Sequence, residues 1–112
     1  MRKRILIAED DEVFADQLAA MVREKLDCVP IVATTAADAL ARSGTVDFGF
    51  LDIKLGDAVV FPLADRLRAL GIPFVFMSAT DPASVPPALS AAPFLRKPVP
   101  APRLMAAARE HL

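Results

Sequence analysis

Four short apolar segments each stop at a residue capable of chemistry. Ile5-Leu6-Ile7-Ala8 stops at Glu9-Asp10-Asp11, Phe48-Gly49-Phe50-Leu51 at Asp52, Phe74-Val75-Phe76-Met77 at Ser78, and Phe94-Leu95-Arg96 at Lys97. Runs of this length suit buried strands rather than helices. Stretches with helical spacing lie between them, and that alternation predicts βαβ units and a parallel sheet. Of the 112 residues, 54% are hydrophobic, which predicts a sheet covered by helices on both faces.

The first strand is expected over residues 4–8 and a helix over 12–25, with apolar positions at Val13, Leu18, Met21, Val22 and Leu26. A second strand is expected over 29–33, where Pro30 marks a sheet edge. Thr35 is placed to cap a helix over 36–42. The third strand is expected over 48–51, a third helix over 59–70 with Pro62 in its first turn and Gly71 ending it, and a fourth strand over 74–77. Residues 82–95 carry no charge and contain Pro82, Pro86, Pro87 and Pro93; a full helix cannot run through them. One or two short turns, such as 87–90, are expected there, then a brief last strand at Phe94 and Leu95 and a closing helix over 101–111 that starts near Pro102.

Right-handed crossovers leave few ways to wind such a chain. The expected fold is α/β and flavodoxin-like, a (βα)5 unit with a five-stranded parallel sheet of order 2-1-3-4-5, helices on both faces and a shortened fourth helix, all within one domain, 1–112. In that order the first and third strands are neighbours, and ligands sit at the carboxyl ends of the strands. Glu9, Asp10, Asp52, Ser78 and Lys97 all fall there. Several carboxylates in a half-dry pocket repel one another unless a cation neutralises them, which points to a hard divalent metal. Acids, metal, hydroxyl and ammonium together make a phosphoryl-handling site.

Composition narrows the function classes. A net charge of −1 makes no electrostatic case for nucleic acid or an anionic membrane. Cys28 is the only cysteine, so no intramolecular disulfide forms, and its plain reading is a small buried hydrophobe. No signal peptide is read at Met1-Arg2-Lys3-Arg4, and no run approaches the length of a membrane span, which predicts a soluble, cytoplasmic protein.

Taken in order, these residues resemble the receiver domains of two-component response regulators, over the whole chain. Glu9-Asp10-Asp11 is similar to that family's first-strand acidic motif, Leu51-Asp52 to its phosphoacceptor strand, Ser78 to its hydroxyl position, Phe94 to its aromatic switch position, and Lys97-Pro98 to its terminal lysine-proline. Residues 48–81 further resemble small stand-alone bacterial receivers. The resemblance implies that Asp52 accepts a phosphoryl group from a histidine kinase or histidine phosphotransfer protein. It implies Mg²⁺ as cofactor, held by Asp10, by Asp52, by the Lys54 backbone carbonyl and by Glu9 through water. Lys97 would pair with phosphoryl oxygens, and Ser78 and Phe94 would switch. The protein would be a phosphoacceptor with autophosphatase activity rather than a turnover enzyme, a monomer or weak dimer acting on a downstream protein that the sequence does not identify.

Each residue also has a plainer reading. Glu9 and Asp10 favour a helix start through its dipole, Asp11 caps or faces solvent, Ser78 caps a turn, Lys97 is a surface lysine and Phe94 is core. His111, in the expected last helical turn, suits the helix dipole and is assigned no function. The rival class is a pseudo-receiver, an interaction module that is never phosphorylated. A haloacid-dehalogenase-type phosphatase needs a second Asp two residues after the first, and Lys54 stands there.

The sequence departs from the family pattern in places. Gly56 stands where the family usually has Pro, and Val60 where a Gly is expected. The side chain of Lys54 is expected either to overhang the phosphoryl site or to pair with Glu9. Val85, Leu89 and Phe94 are candidates for an apolar patch, with at least one of them buried.

Overall fold

In the computed structural model, which describes every residue except Thr80, the chain runs β1 (Arg4–Ala8), α1 (Glu12–Leu26), β2 (Val29–Ala33), α2 (Ala36–Arg42), β3 (Phe48–Asp52), β4 (Lys54–Leu55), β5 (Ala58–Val59), α3 (Phe61–Ala69), β6 (Phe74–Ser78), β7 (Phe94–Arg96) and α4 (Ala101–Arg109). Five strands form one sheet of order β2-β1-β3-β6-β7, with every neighbouring pair parallel. This is the flavodoxin-like order expected from the sequence. Pro30 lies on the edge strand β2, where its missing N–H costs no ladder bond on the open side.

Strand side chains alternate between two cores. Ile5, Ile7, Phe48, Phe50, Val75 and Met77 face one side, where Leu18 and Val22 of α1 and Leu104 and Met105 of α4 cover them. Leu6, Ala8, Leu51, Phe74 and Phe76 face the other, under Ala39 of α2, Leu63 and Leu67 of α3, and Leu89. β3 is buried along its whole length, as a central parallel strand covered on both faces must be.

The helix starts follow from side-chain caps. The Asp11 carboxylate accepts from the backbone N–H of Val13 and Phe14, at 3.1 and 3.2 Å. The Thr35 hydroxyl accepts from Asp38 N–H at 3.1 Å. Each satisfies a donor that the first helical turn leaves open. Gly71 adopts φ +72 just past α3, a left-handed turn that ends the helix.

Three expectations need correction. Val13 is 68% exposed, because Ala15, Leu18, Ala19 and Val22 form the buried stripe of α1 and Val13 lies on the opposite side of the helix. The third helix begins at Phe61 rather than at 59. Val59 instead pairs with Lys54 in the antiparallel hairpin β4–β5, and Val60 precedes the helix. Pro62 fits only the first helical turn, which places the start there. The closing helix ends at Arg109, so His111 lies beyond it and stacks on Phe48 with ring centroids 5.5 Å apart. In place of a fourth crossover helix, residues 82–93 form two 3-10 turns, Pro82–Ser84 and Pro87–Leu89, as the prolines demand. Of the proposed apolar patch, Leu89 is buried, while Val85 and Phe94 are half-buried against the same core. Cys28 is buried, and its thiol donates to the Leu26 carbonyl.

Candidate functional site

The sheet register gathers the polar strand ends. Ala8 of β1 pairs with Leu51 of β3, so the residues that follow, Glu9 and Asp52, come side by side. Asp52 pairs with Met77 and Ser78 with Arg96, which brings Ser78 and Lys97 to the same end of the sheet. The Lys97 N–H donates to the Ser78 carbonyl at 2.9 Å and so continues the ladder past β7. The peptide bond between Lys97 and Pro98 is cis.

Oxygen atoms of Glu9, Asp10 and Asp52 all lie within 4.8 Å of one another. Glu9 is fully buried, Asp52 is 9% exposed and Asp10 is open to solvent. The Lys97 ammonium joins two of the three acids, donating to Glu9 Oε1 at 2.5 Å and to Asp52 Oδ2 at 3.1 Å. It also stands 4.8 Å above the centre of the Phe14 ring, whose face attracts a cation. The second Glu9 oxygen accepts from Asp11 N–H at 3.3 Å. Asp10 Oδ2 accepts from Gly56 N–H at 2.9 Å.

These contacts perturb the titrating groups in different directions. Burial, followed by the hydrogen bond with Asp52, pushes the Glu9 carboxyl up to about 7, against the pull of Lys97. The Gly56 N–H holds Asp10 below the usual carboxylate range. For Lys97, burial works to lower the value, but its hydrogen bonds to Glu9 and Asp52 outweigh it and hold the ammonium above its ordinary range. One ammonium set against three clustered carboxyls leaves an acidic residue of charge. The donor set is all oxygen, and such a set fits a hard divalent cation.

The residues singled out from the sequence therefore converge in large part. Glu9, Asp10, Asp52 and Lys97 share one pocket, with Ser78, buried at 2% exposure, at the end of the adjoining strand. Phe94 lies one strand further out, half-buried. Lys54 differs from expectation: its side chain is exposed on the β4–β5 hairpin, and Lys97 rather than Lys54 pairs with Glu9. Lys97 wins because the end of β7 delivers it into the pocket, whereas the hairpin carries Lys54 outward. Sequence reading missed two participants. Phe14 sits in the first turn of α1, where nothing in the sequence separates it from an ordinary core residue. Gly56 had a signal, its place in the position of a family proline.

No family model and no curated protein matches the chain, but solved structures do. SdrG from Pseudomonas melonis Fr1, solved in solution in its BeF3-activated conformation, is 35% identical, with 94% of this chain and 94% of that one covered and a TM-score of 0.73. A CheY-like response regulator receiver domain from Methylobacillus flagellatus is 24% identical, with both chains covered over 100% and a TM-score of 0.81. A response regulator protein from Burkholderia pseudomallei, which carries a phosphorylated aspartic acid, a calcium ion and citrate, is 24% identical, with 94% of this chain and 65% of that one covered and a TM-score of 0.76.

Proposed function

The chain belongs to the receiver domains of two-component response regulators, and on that premise we propose that residues 1–112 act as one receiver whose Asp52 takes a phosphoryl group from a phosphohistidine. The observation that carries this reading is the meeting of Glu9, Asp10 and Asp52 oxygens within 4.8 Å, with the Lys97 ammonium on two of those acids. Asp52 is the acid that combines a lysine contact with an opening to solvent. Glu9 has no such opening, and among the described residues Asp10 forms no ion pair with a lysine.

In the proposed reaction an Asp52 oxygen attacks phosphorus, the P–N bond breaks, and the imidazole of the donor leaves. Asp10, Asp52 and the Lys54 carbonyl would hold Mg²⁺, and Glu9 would reach it through water. When bound, the ion offsets the charge shared by the acceptor carboxylate and the phosphoryl oxygens. Lys97 transfers its contact from the free carboxylate to a phosphoryl oxygen, acting as a point charge. The Ser78 hydroxyl donates to another phosphoryl oxygen, drawing the loop after β6 inward and letting Phe94 turn toward the core. That is a shift between two packings of one surface. Water then hydrolyses the aspartyl phosphate.

The donor is a histidine kinase or a histidine phosphotransfer protein, and the output is contact with a downstream protein or onward transfer, by a monomer or weak dimer in the cytoplasm. Nucleic acid and membrane are not partners in this reading. Net charge is −1, and among the described residues no helix is long and apolar enough to cross a membrane. Incubation with acetyl phosphate and Mg²⁺, followed by mass spectrometry of the intact protein, tests the reaction. A mass gain of one phosphoryl group that is lost in Asp52→Ala is expected. No gain in the wild-type protein, or the same gain in the variant, would refute it.

A further inference from the structure

We infer that Gly56 is a positioning residue whose backbone N–H presets the Asp10 carboxylate, together with the hairpin that carries Lys54, for the divalent cation. The inference rests on the reading of Glu9, Asp10 and Asp52 as the cation site. The hairpin β4–β5 leaves the sheet one residue after Asp52. Its root is fixed: Ile53 and Leu55 are buried, Ile53 N–H donates to Met77 O at 3.3 Å, and Val60 N–H donates to Ile53 O at 2.8 Å. At its tip there is open space on the side-chain side of Gly56, where a built Cβ would meet nothing within 4 Å. The tip is tied across the molecule by the hydrogen bond from Gly56 N–H to Asp10 Oδ2, 2.9 Å long and between residues 46 apart in sequence.

That bond acts at both of its ends. Asp10 is exposed, and an exposed carboxylate otherwise samples several rotamers, an entropy that a ligand must remove. A carboxylate has about four acceptor sites, so one N–H leaves room for a cation on the same group. At the other end, Lys54 is paired with Val59 in the hairpin ladder, so holding the tip also fixes the path of the backbone that presents the Lys54 carbonyl. Gly56 reaches Asp10 through φ +60, a left-handed conformation that glycine adopts freely and asparagine tolerates. Proline at this position would remove the donor and force φ negative. The family's usual proline therefore lacks a contact that this chain has.

Mg²⁺ affinity, followed by calorimetry or by NMR because the chain has no Trp or Tyr, tests the inference. Gly56→Pro is expected to weaken binding by about tenfold or more, the usual scale for losing a group that orients a metal ligand. Gly56→Asn, which keeps the N–H, is expected to stay near wild type. Amide hydrogen exchange of the metal-free protein gives an arm that needs no cation and no proline: Asp10→Ala should speed exchange at Gly56 and leave the β3 amides protected. Magnesium binding by Gly56→Pro as tight as wild type, or a Gly56 amide that exchanges equally fast with and without Asp10, would overturn the inference. Wild-type protein whose Mg²⁺ binding is absent, or survives Asp10→Ala, would instead remove the cation site and this inference with it.

Discussion

Glu9, Asp10, Asp52 and Lys97 are held by strand ladders and by one another, whereas residues 82–93 rest on the sheet through side-chain packing, with Leu89 buried and Val85 and Ala92 half-covered beside it. Those four residues come from three separate stretches of chain, each ending or following a strand. The second region is a single stretch of two three-residue turns, and it leaves beside it an apolar pocket of about 340 Å³ lined by Ile72, Phe74, Leu89 and Pro93. Charge chemistry needs donors placed to fractions of an ångström on rigid supports. Covering a sheet face needs only apolar volume. Proline is therefore tolerated in the cover, and the two regions should respond differently to substitution.

The largest expected effect lies in the site. Lys97→Ala removes the cation shared by Glu9 and Asp52, and phosphorylation by acetyl phosphate should slow by about 100- to 1,000-fold, the scale for losing one donor to a developing oxyanion. Far-UV circular dichroism should be unchanged, since β7 keeps its ladder. A rate within a few-fold of wild type would remove the distinction between the regions. Leu89→Ala should do the reverse, leaving the chemistry intact and lowering stability. The loss should fall near the low end of the roughly 2–5 kcal/mol range for such a truncation, because a short surface turn can settle into the space. Urea denaturation reads this directly, and a loss below about 0.5 kcal/mol would mean that Leu89 is not the anchor.

The two regions also differ in how far they were legible in the sequence. The five sheet strands and the site acids could be read because each apolar run is continuous and each stops at a polar residue. The Thr35 cap could be read because capping is local, and the stunted cover because proline acts on its own backbone. The hairpin at 54–59 could not. Two pairs of ladder residues leave no periodic signal, and Val59 and Val60 look like the first apolar positions of a helix. The Gly56–Asp10 and Lys97–Glu9 contacts join residues 46 and 88 apart, and nothing in local spacing reports which of two lysines reaches an acid. Lys54 and Lys97 are equivalent in charge, and only the sheet, by directing the end of β7 into the pocket, separates them.

A third, smaller effect sharpens the comparison through pH. Glu9 has its carboxyl raised from 4.5 to about 7 in the folded protein, by burial before anything else. The folded state then binds this proton more tightly than the unfolded chain does. The stability from this group is full below pH 4.5 and is lost as pH rises toward about 7, with a slope of at most about 1.4 kcal/mol per pH unit. Without metal, Glu9→Gln should gain on wild type between about pH 5 and pH 7, since its amide oxygen still accepts from Lys97 and carries no charge to bury. Parallel stability curves for the two proteins would show that Lys97 already neutralises the buried acid. Nothing comparable is expected of residues 82–93, which carry no ionisable side chain.

The smallest effect compares two caps of the same chemistry. Asp11 accepts from two backbone donors and starts the fifteen-residue α1, whereas Asp81 accepts from one, Ala83 N–H at 2.9 Å, and starts a three-residue turn. Replacing a capping Asp by Ala costs about 1 kcal/mol where the helix it starts is part of the cooperative unit. Asp11→Ala should reach that value, because α1 covers the first core and its first turn adjoins the cation pocket. Asp81→Ala should cost less than about 0.5 kcal/mol, because the turn it starts buries none of its own residues, and Leu89 can hold the cover without it. Equal losses in thermal unfolding would mean that the first turn of the cover belongs to the cooperative core after all. The contrast between a site built on ladders and a cover held by loose apolar packing would then fail at its second term.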